Sequence, residues 1–281
     1  MIEVHHPGIY SSVQDLGRYG SRRYGVPLSG VMDRTSALNA NALLGNEEAA
    51  AVLEFANPGP KLFFNKPAII AIAGAAFQVR INGEPISTDQ PVLVETNSIV
   101  ELGRASEGVW GYLAVMGGIF SESVLGSKSF YYGITKFSRI TKGHILEIAT
   151  LSESSSQEVN WGKKLPEFNI NPVIEVWPGP EYEHLSEYQK LALFDNELTV
   201  SPQSNRMATL LSSELSITTS EITTSAVQPG TVQLTPSGKI MALMRDAQTT
   251  GGYSRILQLS DDGFTNLTRI QPGESIRFRL K

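Results

Sequence analysis

The stretch Lys239–Leu259, KIMALMRDAQTTGGYSRILQL, constrains the fold more than any other part of the chain. Five consecutive apolar residues, Ile240–Met244, run into Arg245, Asp246 and Gln248. Thr249, Thr250, Gly251 and Gly252 follow, and Tyr253 and Arg255 open a second apolar run. Short apolar runs beside turn residues suit strands buried on both faces, so the stretch predicts two strands joined by a glycine-rich connection. Glycine takes positive φ readily and lets a ligand approach the backbone, and successive N–H groups in such a turn can converge into an anion-binding nest. Arg245 and Arg255 would flank that nest with fixed charge, while Asp246 would hold an arginine or accept a proton. The set suits a small anionic or amide-bearing ligand. A second reading fits the same residues: a tight hairpin whose arginine and aspartate pair at the strand end.

The chain has 281 residues, more than one typical core needs, so two domains are expected. With 41% hydrophobic and 18% charged residues it has the composition of a globular protein. A net charge of −5 with no basic face argues against nucleic acid as a partner. The absence of cysteine removes disulfides, thiolate nucleophiles and sulfur-ligated metals together. His5, His6, His144 and His184 do not form a metal-ligand spacing, so no tightly bound metal is expected. The N-terminal residues lack a leader pattern and nowhere do eighteen apolar residues run together. A cytoplasmic protein with no membrane partner is expected.

Along the chain, Ile2–His5 reads as a first edge strand, and the glycine-rich residues from Ser11 to Pro27 as an extended polar loop. Thr35–Leu44 reads as a helix with Asp33 as N-cap and Gly45 at C′. Asp33 is either that cap or, with Arg34, a ligand-facing group at a helix N-terminus. Glu47–Phe55 is a short helix or the lead into a strand. Ala68–Ala73, Gln78–Ile81, Glu84–Ile86, Val92–Val94, Ile99–Leu102, Gly111–Val115 and His144–Ala149 read as strands, with Asn82-Gly83 marking a type I′ hairpin. In Leu125–Ile134 the Ser127–Lys128–Ser129 group either contacts a ligand or lies beside aromatics that cover a core edge. Leu151–Pro172 is polar and Pro-containing, and marks the domain boundary. Beyond it, Leu185–Phe194 reads as the one helix of the second half. A strand from Val173, in VIEVWPGP (173–180), opens it, and Leu198–Val200, Leu215–Thr218, Val232–Leu234, Ile240–Met244, Ile256–Leu259 and Ile276–Leu280 read as its further strands. There is no phosphate loop, dinucleotide fingerprint or nucleophile elbow.

Several segments resemble one family in joint order: QDLGRYG (14–20), GVPLSGVMDRTSALNANALLGN (25–46), LAVMGGI (113–119), PGP (178–180), SNRM (204–207) and PGTVQLTPSGKIMALMRDAQTTGGYSRI (229–256). These are similar to the 5-oxoprolinase C-component family, also described as biotin-dependent carboxyltransferase-like, allophanate hydrolase subunit 2 or KipA-type. The resemblance implies a mainly β protein of two cyclophilin-like β-barrel domains, placed at 1–160 and 161–281, with a few short helices. It implies a heteromeric complex with two partners, the KipI-like B component and the A component of 5-oxoprolinase, and ATP-dependent opening of 5-oxoproline to glutamate. ATP would be shared with a partner component, and no biotin is expected in this chain. Catalysis would then fall to Arg245, Asp246 and Arg255. A small anionic amide substrate would be bound by Gln248, Thr249, Thr250, Gly251, Gly252, Tyr253, Asp33, Arg34 and Arg206. Two alternatives go with the same resemblance: a KipA-type regulatory binding protein that antagonises a kinase inhibitor, and the carboxyltransferase component of a urea carboxylase-like system. Ala208, Ser254 and His144 depart from the family pattern.

Overall fold

The computed structural model describes residues 1–151, 168–213 and 217–281. The chain divides into two compact units, Met1–Arg18 with Ser29–Asn169, and Tyr19–Leu28 with Ile170–Lys281. The expected boundary between 160 and 161 lies outside the described residues.

The first unit contains β1 (Ile2–His6), β2 (Ser11–Gln14), α1 (Arg34–Leu43), β3 (Val52–Ala56), β4 (Lys61–Phe64), β5 (Ala68–Gly74), β6 (Phe77–Ile81) and β7 (Glu84–Pro85). It continues with β8 (Val92–Val94), β9 (Ser98–Ala105), β10 (Trp110–Val115), β11 (Ile119–Phe120) and β12 (Ile145–Ile148). One sheet runs β11-β12-β1-β4-β9-β6-β7 and the other β2-β3-β10-β5-β8. Val4, Leu62, Val79 and Val100 of the first sheet meet Leu53, Phe55, Ile70 and Leu113 of the second in one core. β9 alternates buried and half-buried residues as a strand with one dry face should, whereas β10 is buried throughout. The difference arises because α1 packs on β5 and β10 and covers their outer face.

The helix begins where its cap demands. Asp33 Oδ1 accepts from the Ser36 N–H at 3.1 Å and Oδ2 from the Ser36 hydroxyl at 2.7 Å, and Gly45 closes the far end at φ 67°. Asn82 and Gly83 take φ of 52° and 90°, as the type I′ turn requires, and β7 lies at the sheet edge as its proline dictates.

Two expectations fail in this unit. β1 is an interior strand between β12 and β4, not an edge. The supposed loop from Ser11 opens with β2, whose four residues are all buried. Its polar side chains escape the cost of burial by finding partners: the Ser11 hydroxyl donates to the Pro7 carbonyl at 2.7 Å, and Gln14 donates to Ser12 at 3.0 Å and to the distant Phe130 carbonyl at 3.3 Å and accepts from Gly30 N–H at 3.1 Å. Glu47–Phe55 resolves in favour of the strand, β3.

The second unit contains β13 (Val173–Pro178), α2 (Glu187–Asp195), β14 (Leu198–Val200), β15 (Ala208–Ser212), β16 (Ser225–Ala226), β17 (Thr231–Leu234) and β18 (Ile240–Leu243). β19 (Thr250–Gly251), β20 (Ser254–Leu259), α3 (Asp261–Arg269) and β21 (Ser275–Leu280) complete it. Seven of these strands close a barrel in the order β13-β20-β17-β18-β15-β14-β21. Its pairs are antiparallel except β13 with β21, the first and last strands, which run parallel.

Leu185–Phe194 was expected as this unit's one helix, and α3 is a second. Ser260 caps it by accepting from Gly263 N–H at 3.0 Å, and Phe264 and Leu267 bury the inner face against β13 and β20. Of the expected strand Leu215–Thr218, residues 215 and 216 lie outside the described residues, and Ile217–Thr218 is not in a strand. β15 went unpredicted.

Candidate functional site

β18 and β20 do not pair with each other. Both pair with β17 and lie on either side of it, which overturns the hairpin reading of Lys239–Leu259. The connection between them carries β19, and β19 pairs with β16 through Ser225↔Gly251 and Ala226↔Thr250. Nor is there a nest of left-handed glycines, because neither Gly251 nor Gly252 takes a left-handed φ. Gly251 instead sits in close packing: a Cβ there would come within 3.0 Å of the amide of the buried Gln233. Thr249 and Gly252 offer their carbonyls to Val227 and Ile222 N–H groups, and the Tyr253 carbonyl accepts from Gln233.

The charged residues of the stretch are engaged one by one. Asp246 receives the Arg206 guanidinium in a two-point fork, Nε to Oδ2 at 2.8 Å and Nη2 to Oδ1 at 2.9 Å, and its own N–H donates to the Arg206 carbonyl at 2.9 Å. Arg206 is 5% exposed. Arg245 lays its guanidinium over the Phe264 ring at 4.5 Å, which ties it to α3 by a cation–π contact. Arg255 forks onto Glu181, Nε to Oε2 at 2.8 Å and Nη2 to Oε1 at 2.6 Å, and its Nη1 donates to the Ala226 carbonyl at 3.1 Å. Each partner shifts the other: bonding to Arg255 lowers the Glu181 pKa, and bonding to Glu181 raises that of Arg255.

That pair carries a pH signature. A carboxyl held below its ordinary 4.5 contributes stability that is complete above 4.5 and is lost as pH falls through the folded-state value. Acid unfolding of the wild-type chain is therefore expected to include a contribution below pH 4.5 that Glu181→Gln removes. Overlapping wild-type and Glu181→Gln profiles of stability against pH, from about 5 down to about 3, would show that the fork contributes nothing.

Beside Arg255 the barrel unit opens a cavity of about 350 Å³. Its walls are Pro178, Gly179, Pro180, Ala226, Val227, Gln228, Thr231, Leu257 and Gln258, with Arg22 and Arg255 as the charged groups. Gly179 is required by contact, since a Cβ there would come within 2.1 Å of the Arg255 carbonyl oxygen. The Thr231 hydroxyl donates to Gln258 Oε1 at 3.1 Å, and Gln258 Nε2 donates to the Pro229 carbonyl at 3.2 Å. Arg22 donates through Nη2 to the Val227 carbonyl, while its Nη1 is buried and has no hydrogen-bond partner among the described residues. Burial lowers the Arg22 pKa.

Asp33 and Arg34 fall in the first unit. Asp33 is the buried cap of α1, and Arg34 is exposed on the first turn. Above the cap, the Tyr112 hydroxyl bonds Glu54 at 2.9 Å and accepts from Asp33 N–H at 2.7 Å, and burial pushes its pKa well above the ordinary value. Ser127 and Ser129 serve the core, both donating to Asp15. Of the expected site, then, Arg255 lines the cavity, Arg206 and Asp246 form a separate fork, and Asp33 and Arg34 belong to another unit. Arg22, Glu181 and Gln258 were missed. For Glu181 a signal existed, since it directly follows the Pro-Gly-Pro motif. Among the described residues no helix is long and apolar enough to cross a membrane.

The fold and the ordered motifs define a class: the chain belongs to the carboxyltransferase domain family, subdomains A and B, which matches residues 24–280. Within it, the chain is 32% identical over 284 residues to the C component of 5-oxoprolinase from Escherichia coli strain K12, covering 99% of this chain and 90% of that protein. Among solved structures, TTHA0988 superposes with a TM-score of 0.87 at 28% identity, covering 99% of this chain and 55% of that one, so the chain spans about half of its length. The Kluyveromyces lactis urea amidolyase superposes with a TM-score of 0.87 at 26% identity, covering 99% of this chain but only 18% of that much longer one.

Proposed function

We propose that this chain works as the C component of a 5-oxoprolinase, acting with the A and B components in the ATP-dependent opening of 5-oxoproline to glutamate. The similarity to proteins named as the C component of 5-oxoprolinase, along nearly the whole of both sequences, carries the proposal. The substrate is a small cyclic amide bearing a carboxylate, and its carbonyl is a poor electrophile. A site for it needs fixed positive charge for the carboxylate and shelter from water around the ring. The barrel cavity offers the charge through Arg22 and Arg255, and Pro178, Pro180, Val227 and Leu257 supply apolar surface for the ring.

Within this reading Arg255 is a wall of the substrate cavity, kept in place by Glu181. Arg206 and Asp246 are positioning residues that hold the connection leading to β19. The cavity does not fit a nucleotide triphosphate. Such a group asks for several cations or a nest of N–H donors. Here Glu181 already neutralises Arg255, and the glycines at 251 and 252 form no nest. Purifying the chain with its A and B partners and following glutamate production tests the proposal. Glutamate formation that requires both ATP and this chain is the expected result, and a folded complex that makes none would refute it.

A second reading is favoured by one observation, the superposition on urea amidolyase together with the carboxyltransferase family match. In that case the chain transfers a carboxyl group from a biotin carrier to a small acceptor such as urea. Turnover abolished by avidin would favour it over the first reading.

A further inference from the structure

Arg22 and Arg255 donate to consecutive carbonyls, those of Val227 and Ala226, and both line the barrel cavity. Their charges are handled differently. Glu181 answers Arg255, whereas among the described residues no carboxylate pairs with Arg22, whose buried Nη1 lacks any partner. An unanswered, partly desolvated cation beside a cavity is costly, and an anion seated there would offset that cost. The cavity therefore presents one net positive charge, in a volume at the small end of the roughly 300–1,000 Å³ typical of ligand clefts. One charge and a small volume match a single carboxylate on a compact molecule.

We infer that the barrel cavity seats the carboxylate of a small molecule on Arg22, making Arg22 the residue that selects a carboxylate-bearing ligand, while nucleotide phosphates bind outside this cavity. The choice of 5-oxoproline as that ligand rests on the function proposed above. Arg255 contributes an oriented neighbour whose charge is already spent on Glu181. Selectivity thus falls on Arg22 alone.

Titration of the 281-residue chain decides the matter. The probes are 5-oxoproline, 2-pyrrolidone (the same lactam ring without the carboxylate), inorganic phosphate and ATP, each against wild type, Arg22→Gln and Arg22→Lys. 5-Oxoproline should bind, with 2-pyrrolidone at least roughly tenfold weaker, as expected when one charged hydrogen bond is lost. Arg22→Gln should weaken 5-oxoproline roughly 10- to 100-fold, to the level of 2-pyrrolidone, and Arg22→Lys should restore part of the loss. The unliganded melting temperature of Arg22→Gln should equal or exceed that of wild type, which separates lost binding from lost folding. The inference is overturned if 5-oxoproline does not bind, if it binds Arg22→Gln as tightly as wild type, or if phosphate and ATP are the probes that Arg22 governs. Turnover with the partner components tests the other claim separately. A complex that converts 5-oxoproline with a KM indifferent to Arg22→Gln keeps the function and removes this site. Arg22-dependent binding of the carboxylate without turnover keeps the site and removes the function.

Discussion

Asp15→Ala is expected to unfold the first unit far more readily than wild type, with a loss of roughly 3–6 kcal/mol in chemical denaturation. Asp15 is 9% exposed and its carboxylate accepts four hydrogen bonds: from Gly17 N–H at 2.8 Å, the Ser127 hydroxyl at 2.6 Å, Lys128 N–H at 2.6 Å and the Ser129 hydroxyl at 2.7 Å. Two segments more than a hundred residues apart in sequence are pinned by one side chain. Removing it leaves buried donors without an acceptor, each costing about 1–3 kcal/mol before relaxation. Relaxation is limited here because Arg18, fully buried three residues on, donates to the Val124 and Ser129 carbonyls and fixes the same loop. Asp15→Asn should lose nearly as much, since its amide nitrogen would face a donor. A loss below about 1 kcal/mol in both variants would mean that water replaces the carboxylate at no cost, contrary to its burial.

What could be read from sequence in this chain was whatever local physics decides. The apolar run of β5, the Asn-Gly turn between β6 and β7, and the Asp33 cap with Gly45 are each specified within a few residues, and the structure has them where expected. The failures have a common cause in partners distant along the chain. β2 is a strand of mostly polar residues whose burial makes sense only once its bonding partners are in place. β15 depends on β14 and β18 on either side, and α3 lies over a barrel that closes through β13 and β21. Ser260 with Asp261 and Asp262 was a legible start for α3, but the residues Gly263, Thr265 and Asn266 weaken the helical pattern that follows.

The site behaves the same way. Of its charged residues Arg255 was visible beside the glycine-rich connection, whereas Arg22 and Glu181 lie far from it in sequence, and which charge meets which is a long-range fact. Asp246 finds Arg206 forty positions upstream, Arg255 finds Glu181, and Arg22 reaches a carbonyl 205 positions away. Glycine likewise admits two explanations in sequence, positive φ or close approach, and at Gly251 and Gly179 contact decides for the second.

Asp246→Ala should cost the second unit about 3–5 kcal/mol and lower its melting temperature by roughly 10 °C or more, because Arg206, buried at 5% exposure, loses both hydrogen bonds of its fork. The effect should reach the cavity by a traceable route. The fork holds the start of the connection from β18, that connection carries β19, and β19 pairs with β16, where the Ala226 carbonyl anchors Arg255. Binding in the cavity should therefore weaken along with stability. The double variant Arg206→Met with Asp246→Leu separates charge from packing. Apolar side chains of similar volume remove the desolvated charge, so most of the stability should return, as should the cavity's affinity if the connection is again held. A double variant as unstable as the single one would show that the fork's geometry, rather than cancellation of a buried charge, keeps the connection in place.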